Sequence, residues 1–409
     1  MRRSWSRQRT TLLLPLCAVV LVSLLATRRG RPTDGQTADE LGDTAPHLEA
    51  ASPLKSLDLR FGPKARLEPS IPQDSLEILF NDSSAAATTS AVATHRTTLA
   101  NLHPFSTTID AFNKSQTEGN TLLDVEQFQY TILERGICEA EHADVFVVTV
   151  VHSAPSHFKQ RMVVRETWGQ RRLFDRLKHL VVFIMGWPSG ADELAVQRRL
   201  QRESETYRDV VQADFVDSYR NLTYKALVWM RWVRDYCPNA AFVVKIDDDM
   251  FMNTFNLVRH LVHMHRRGFG VNSTISCLVW HKSKVIRDAS SKWYVSREEL
   301  PDSEAPNGLY PTYCSGSAYI FSGDLVGRMY AAAADTPFFW VDDYYVTGRL
   351  ARVAGASYLQ LQSLYSVSGT DFGKHEQRVV DDLVVFAHLS STRMQLRYQL
   401  WKTILGENP

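Results

Sequence analysis

Three aspartates in a row, Asp247, Asp248 and Asp249, follow the apolar run FVVKI and precede MFMN. Like charges side by side repel, so such a run needs a partner that offsets the repulsion. Alternation along an extended segment sends Asp247 and Asp249 to one side and Asp248 to the other. Two carboxylates on one side make a hard-oxygen site suited to Mn²⁺ or Mg²⁺, with water, a further side chain and a diphosphate completing the coordination. The alternative is a solvated acidic turn, and the apolar runs on both flanks weigh against it. A second pair, Asp342 and Asp343, follows the aromatic run FFWV and opens a predicted helix. Negative charge there complements the helix dipole. Equally, a carboxyl among aromatics rises in pKa and serves as a general base. Residue types alone leave both readings open.

The surrounding pattern shows what must hold these side chains. DVFVVTVVHS, HLVVFIMGW, DVVQADF and AAFVVKIDDD read as buried strands. HFKQRMVVRETWG, ADELAVQRRLQRESETY and NLTYKALVWMRWVRDYC read as helices, the last N-capped by Asn221. Buried strands alternating with helices predict an α/β fold, a parallel sheet with helices on both faces. Ligands of such sheets sit at the carboxyl ends of the strands, which is where the three aspartates fall. Further helices are expected near 324–334, 342–354 and 391–405. DVEQFQYTILERGICEA, just ahead of the first strand, reads as a helix packed on the domain. Residues 141–409 form one domain, without internal repeats.

Lys and Arg number 46 against 45 Asp and Glu, a balance that argues against a nucleic-acid binder. An apolar run from Leu12 to Ala26 has Arg2, Arg3, Arg7 and Arg9 before it and Arg28, Arg29 and Arg31 after it. The Leu24-Leu25-Ala26 exit suits a cleavage site poorly, so the reading is a type II signal anchor over 12–27 with a cytoplasmic tail at 1–11. The run is short for a span, which fits the thinner early secretory membranes. Residues 28–140, rich in Ser, Thr, Ala and Pro, read as a luminal stem. Sequons at Asn81, Asn113 and Asn272 are candidate N-glycosylation sites; Asn221 also heads one but is assigned to packing or capping. Cys138, Cys237, Cys277 and Cys314 form an even luminal set, hence two disulfides in any of three pairings. No C-x-x-C spacing supports zinc.

Five segments in order resemble the β1,3-glycosyltransferases that include β1,3-galactosyltransferases and β1,3-N-acetylglucosaminyltransferases (glycosyltransferase family 31). They are RMVVRETWG (Arg161, Arg165, Thr167, Trp168), FVDSYRNLTYKAL (Phe215, Asp217, Tyr219, Asn221, Leu222, Thr223, Lys225), KIDDDMFMN, YPTYCSGSAYIFS (Tyr310, Pro311, Tyr313, Gly316, Tyr319) and VDDYYVTG. The likeness spans about residues 144–400. It implies a GT-A fold, a UDP-sugar donor and a Mn²⁺-dependent (or Mg²⁺-dependent) inverting transfer in the Golgi membrane. By that likeness Asp249 is the main metal ligand. Asp247 is a ligand nearer the nucleotide and its sugar, and His388 a third. Asp343 is the catalytic base. Arg161, Arg165, Lys225, Asp247 and Asp248 are candidates for contacts to the donor; Trp168 reads as core.

The chain also departs from the pattern. Asp342-Asp343-Tyr344 stands where relatives often read E-D-V, and Arg349 where many carry a cysteine. Residues 281–307 lack a clear pattern and are expected to form an acceptor-facing loop. The resemblance thus implies a hexosyltransferase, with galactose first among donors, acting on a glycoprotein or glycolipid glycan. N-acetylhexosaminyl transfer on the same fold and a silent glycan-binding homologue are the alternatives. A glycosidase also uses two carboxylates, but the adjacent aspartates and the anchor disfavour it.

Overall fold

The β-branched apolar runs become the centre of a sheet: β2 (Val145–His152), β3 (Lys178–Trp187), β4 (Val210–Val216) and β5 (Phe242–Asp247) are parallel neighbours in the order β4-β3-β2-β5. The structure, a computed structural model, describes residues 122–138, 145–174, 177–366, 385–389 and 393–407. The expected anchor, most of the stem, Asn81 and Asn113 lie outside the described residues. Among the described residues, no helix is long and apolar enough to cross a membrane.

Helices α1 (Phe158–Glu166), α2 (Glu193–Tyr207), α3 (Leu222–Tyr236) and α4 (Thr254–Arg266) connect and follow these strands. Alternate residues of β2 divide the core. Val148 and Val150 face Leu227 and Trp229 of α3, while Val147 and Val151 face the side carrying Val164, Leu200 and Leu257. The sheet therefore has helices on both faces, as its two-sided apolar strands require.

Beyond β5 the sheet turns antiparallel with β8 (Tyr313–Ser322) and β7 (Thr274–Trp280), and β9 (Ser357–Gln360) closes that edge. The register pairs Lys245 with Tyr319 and Ile246 with Ala318, so the start of β8 runs past the aspartates and carries Gly316 to them. After the aspartates the chain leaves the sheet as β6 (Met250–Met252), which joins β10 (Tyr365–Ser366) and β11 (Phe386–His388) in a small second sheet. There His388 is opposite Met250. α5 (Gly323–Ala332), α6 (Asp342–Tyr344) and α7 (Met394–Ile404) match the helices expected near 324, 342 and 391. The middle one continues as a π-helical turn, Tyr345–Leu350.

Three expectations are corrected. The segment before residue 140 is not helical: it forms β1 (Tyr130–Ile132), antiparallel to the edge of β4. Leu123 is buried, Trp232 Nε1 donates to Glu134 O, and Cys138 is bonded to Cys237 at the end of α3. The boundary expected at 141 thus cuts a segment that the domain holds. The other disulfide is Cys277–Cys314, across β7 and β8. Asn221 does not cap α3 through its side chain, which donates to Val216 O instead.

Candidate active site

A pocket of about 240 Å³ opens at the carboxyl end of β5. Asp247, Asp249 and His388 line it. The side chains of both aspartates are about two-fifths exposed, at 39% and 41%. His388 Nε2 lies 3.4 Å from Asp249 Oδ2. That contact raises the imidazole pKa, and, against the loss of surrounding water, it leaves the Asp249 carboxyl below its ordinary range. Asp247 behaves oppositely. Removal of water pushes it up, Lys245 pulls it back and Asp249 pushes it up again, leaving it at about 6. Lys245 Nζ donates to Asp247 Oδ1 at 2.6 Å and to Gly316 O.

Two carboxylates and an imidazole lining one pocket are the donor set of a hard divalent cation, whose charge would favour both ionised carboxylates. Among the described residues no three such side chains converge as tightly as metal ligands do. Asp247 is turned to Lys245 and Asp249 to His388. The residues fit such an ion by chemistry, and all three line one pocket.

α6 also lines the pocket, through both of its aspartates. Asp342 is buried, and backbone N–H groups of the first turn offset part of its charge. Asp343 takes the N–H of Gly316. Burial, followed by the Asp342 charge, pushes the Asp343 carboxyl up to about 8, against the pull of Lys245. Thr347 ties this turn to β8: its Oγ1 donates to Asp343 O and accepts from Cys314 N. Tyr219, Trp293 and Trp340 complete the rim.

The other sequence candidates are not on this pocket. Arg161 is fully buried and gives its guanidinium to Glu203 (2.7 and 2.8 Å), Ser153 Oγ, Ala154 O and Pro155 O. Arg165 bridges Asp209 and Glu203. Lys225, also buried, donates to Asp217 and to Ser153 O. Asp248 points away from Asp247, accepts from Ser153 Oγ at 2.7 Å and lies 2.8 Å from His157 Nδ1. Arg161, Lys225 and Asp248 all bond to the β2–α1 loop, while Arg165 braces α1 against Glu203 and Asp209. Asn272 is exposed in the turn before β7.

Two positioning groups escape a reading of the sequence. Lys245 has a signal, as a lysine inside an apolar strand two residues before a same-side carboxylate. Arg397 of α7 has none; its buried guanidinium donates to the carbonyls of Asp248, Asp249 and Leu389 and so fixes the turn from below. Arg349 forms a bidentate pair with Glu304 (2.7 and 2.8 Å), which also accepts from Tyr344 Oη. The 281–307 loop is thereby joined to the segment that follows Asp343.

Residues 159–362 match the family described as galactosyltransferase. The chain is 34% identical over 227 residues to the Homo sapiens beta-1,3-galactosyltransferase 1, covering 55% of this chain and 65% of that one. It is 32% identical over 222 residues to the Mus musculus UDP-GalNAc:beta-1,3-N-acetylgalactosaminyltransferase 1, covering 54% and 63%. The chain thus spans less than two thirds of the length of these curated relatives. Among solved structures, a glycosyltransferase involved in glycosylation of the major capsid of PBCV-1 is similar at a TM-score of 0.33 and 11% identity, over 63% of this chain and 99% of that one.

Proposed function

We propose, from the match of residues 159–362 to the galactosyltransferase family, that the chain is an inverting hexosyltransferase, moving galactose from a UDP-sugar to an acceptor glycan in β1,3 linkage. One observation carries the reading: the Asp343 carboxyl, held against Gly316, shares a pocket with Asp247 and Asp249.

Asp343 takes the proton of the acceptor hydroxyl. The hydroxyl oxygen attacks the anomeric carbon on the face opposite an α-linked diphosphate. The bond from that carbon to the diphosphate oxygen breaks, its electron pair leaves with UDP, and the new glycoside is β. Asp247, Asp249 and His388 would hold Mn²⁺ or Mg²⁺, which supplies Lewis-acid charge to the leaving diphosphate. Lys245 ties Asp247 to the strand beside Asp343 by holding Asp247 Oδ1 and the carbonyl of Gly316. Arg161, Lys225 and Asp248 act one layer back, in shaping the loop that faces the donor, and Arg165 shares Glu203 with Arg161.

The compartment belongs to the same proposal. Residues 12–27 anchor a type II, single-pass protein in the Golgi membrane, with the catalytic domain in the lumen and its acceptor on a glycoprotein or glycolipid. Two disulfides and the exposed Asn272 support an oxidising lumen. A second donor, N-acetylgalactosamine, is favoured by the relative named for that transfer.

The test offers UDP-galactose, UDP-N-acetylgalactosamine and UDP-N-acetylglucosamine to the full chain, with and without Mn²⁺, beside Asp343→Asn. Metal-dependent transfer of galactose, lost in the variant, is expected. No turnover and no Mn²⁺-dependent UDP binding would overturn the reading in favour of a silent glycan-binding homologue.

A further inference from the structure

Two large aromatic side chains stand in the open at the mouth of the pocket. Tyr219 is 47% exposed and Trp293 is 52% exposed, and both line the cleft that holds Asp343. Exposed aromatics in contact are a costly surface unless something covers them. These two are also held in place. Trp293 Nε1 donates to Tyr219 Oη at 2.8 Å. The backbone around Trp293 is fixed by Ser291, whose Oγ accepts from Trp293 N and whose carbonyl accepts from Tyr294 N. Arg287 grips the carbonyls of Val295, Ser296 and Leu300 just beyond. Lys292 Nζ lies 4.4 Å from the Trp293 ring centre and 5.4 Å from that of Tyr219, so a cation sits over one face of the indole. Behind Tyr219 stands Trp340, 6.3 Å away between ring centres and covered by Arg220.

The pair has a definite side. Tyr219 packs beside Trp340, which leads directly into Asp342 and Asp343. Trp293 belongs to the 281–307 loop, which Glu304 fastens to Arg349 of the segment that follows those aspartates. The rings therefore stand on the side of the base. A pyranose has a face of C–H groups and a rim of hydroxyls. It suits a ring surface that is apolar across its face and polar at the phenol and indole edges. We infer that Trp293 and Tyr219 form the seat for the acceptor's terminal pyranose, stacking it so that the attacking hydroxyl reaches Asp343. The inference rests on the transferase reading above.

The experiment uses the full chain in detergent, with UDP-galactose and Mn²⁺. Three acceptors are offered: the p-nitrophenyl β-glycosides of galactose, N-acetylglucosamine and N-acetylgalactosamine. Donor hydrolysis without acceptor is followed separately, and thermal melting checks the fold of each variant. Trp293→Ala is expected to raise the acceptor KM about tenfold while the donor KM moves less than twofold. Trp293→Phe keeps a ring and should recover most of the loss. Tyr219→Phe removes the oxygen that receives the indole N–H and should fall between them. An acceptor KM unchanged in Trp293→Ala overturns the assignment, as does a rise confined to the donor KM. Hydrolysis of the donor without transfer to any of the three glycosides also overturns it. Absence of any donor turnover in the parental chain instead removes the transferase reading itself.

Discussion

The carboxyl of Asp343 is packed against the α-carbon of Gly316: a Cβ built on that glycine would fall well inside 3.0 Å of both carboxylate oxygens. The side chain that carries the proposed chemistry occupies the space a methyl would take. Gly316→Ala must therefore displace Asp343. Transfer is expected to fall about 100-fold or more, the range for losing a general base. Steady-state kinetics beside a melting curve checks this; full activity would show that Asp343 does not act from its present position.

Asp343 also sets a pH dependence. Burial and the neighbouring Asp342 raise its carboxyl to about 8, partly countered by Lys245. A base works only when ionised, so kcat/KM should rise with pH. A bound divalent cation favours the ionised form and moves the limb down. The midpoint is expected above the usual carboxylate range of about 4 and below about 8. Lys245→Met removes the nearest cation and should move it upward. A profile flat from about pH 5 upward would remove Asp343 from the role.

The arm before residue 140 makes a prediction about folding. β1 pairs along β4, Arg231 Nη1 donates to Phe128 O, and the Cys138–Cys237 bond spans 99 residues. A fragment beginning at 141 loses all three and leaves the edge of β4 unpaired. A fragment beginning at 115 should express as a folded monomer, and one beginning at 141 should aggregate. Replacing both cysteines by serine in the whole chain should cost about 4.7 kcal/mol, the chain-entropy value for a loop of this length. Denaturant unfolding measures it.

The pair Arg349–Glu304 fastens the acceptor-side loop. Arg349 is buried, stacks over Phe339 at 4.7 Å and holds both oxygens of Glu304. Burial would raise the Glu304 carboxyl, but Arg349 outweighs it and the net shift is downward. A depressed carboxylate stabilises the fold above its unfolded pKa of about 4.3 and loses that contribution as pH falls through the folded value. Arg349→Met should lower stability at neutral pH by about 3 kcal/mol and weaken the acid dependence. Melting at a series of pH values reads both.

The legible part of this molecule is the part that local pattern determines. β2 to β5 are visible as apolar runs, and the aspartates mark the end of β5 before any fold is known. Alternation correctly separates Asp247 and Asp249 from Asp248. What pattern does not give is which charges neutralise one another across the fold. Arg161 and Glu203 are 42 residues apart, and Arg397 meets the Asp248 carbonyl across 149. A single sequence holds no signal for such pairs, so Arg161 reads as a surface cation aimed at phosphate. The segment 122–138 is misread for another reason: its strand is three residues long and gains its partner only from the edge of β4.

The two roles for Arg161 predict opposite kinetics. A phosphate contact, once lost, raises the donor KM and leaves the fold alone. In the structure Arg161 instead braces the interior. It is fully buried, holds both oxygens of Glu203, and donates through Nη1 to Ser153 Oγ, which in turn donates to Asp248. Glu203 is itself buried, and without Arg161 only Arg165 offsets its charge. Arg161→Met should therefore destabilise the domain by about 3 kcal/mol or more, and enzyme that remains folded should bind UDP-sugar with a KM within about threefold of the parent. Arg161→Lys should rescue little, because an ammonium cannot reproduce the paired N–H geometry toward a carboxylate. A variant that melts like the parent but has lost donor affinity would return Arg161 to the phosphate and move the β2–α1 loop into direct contact with the nucleotide.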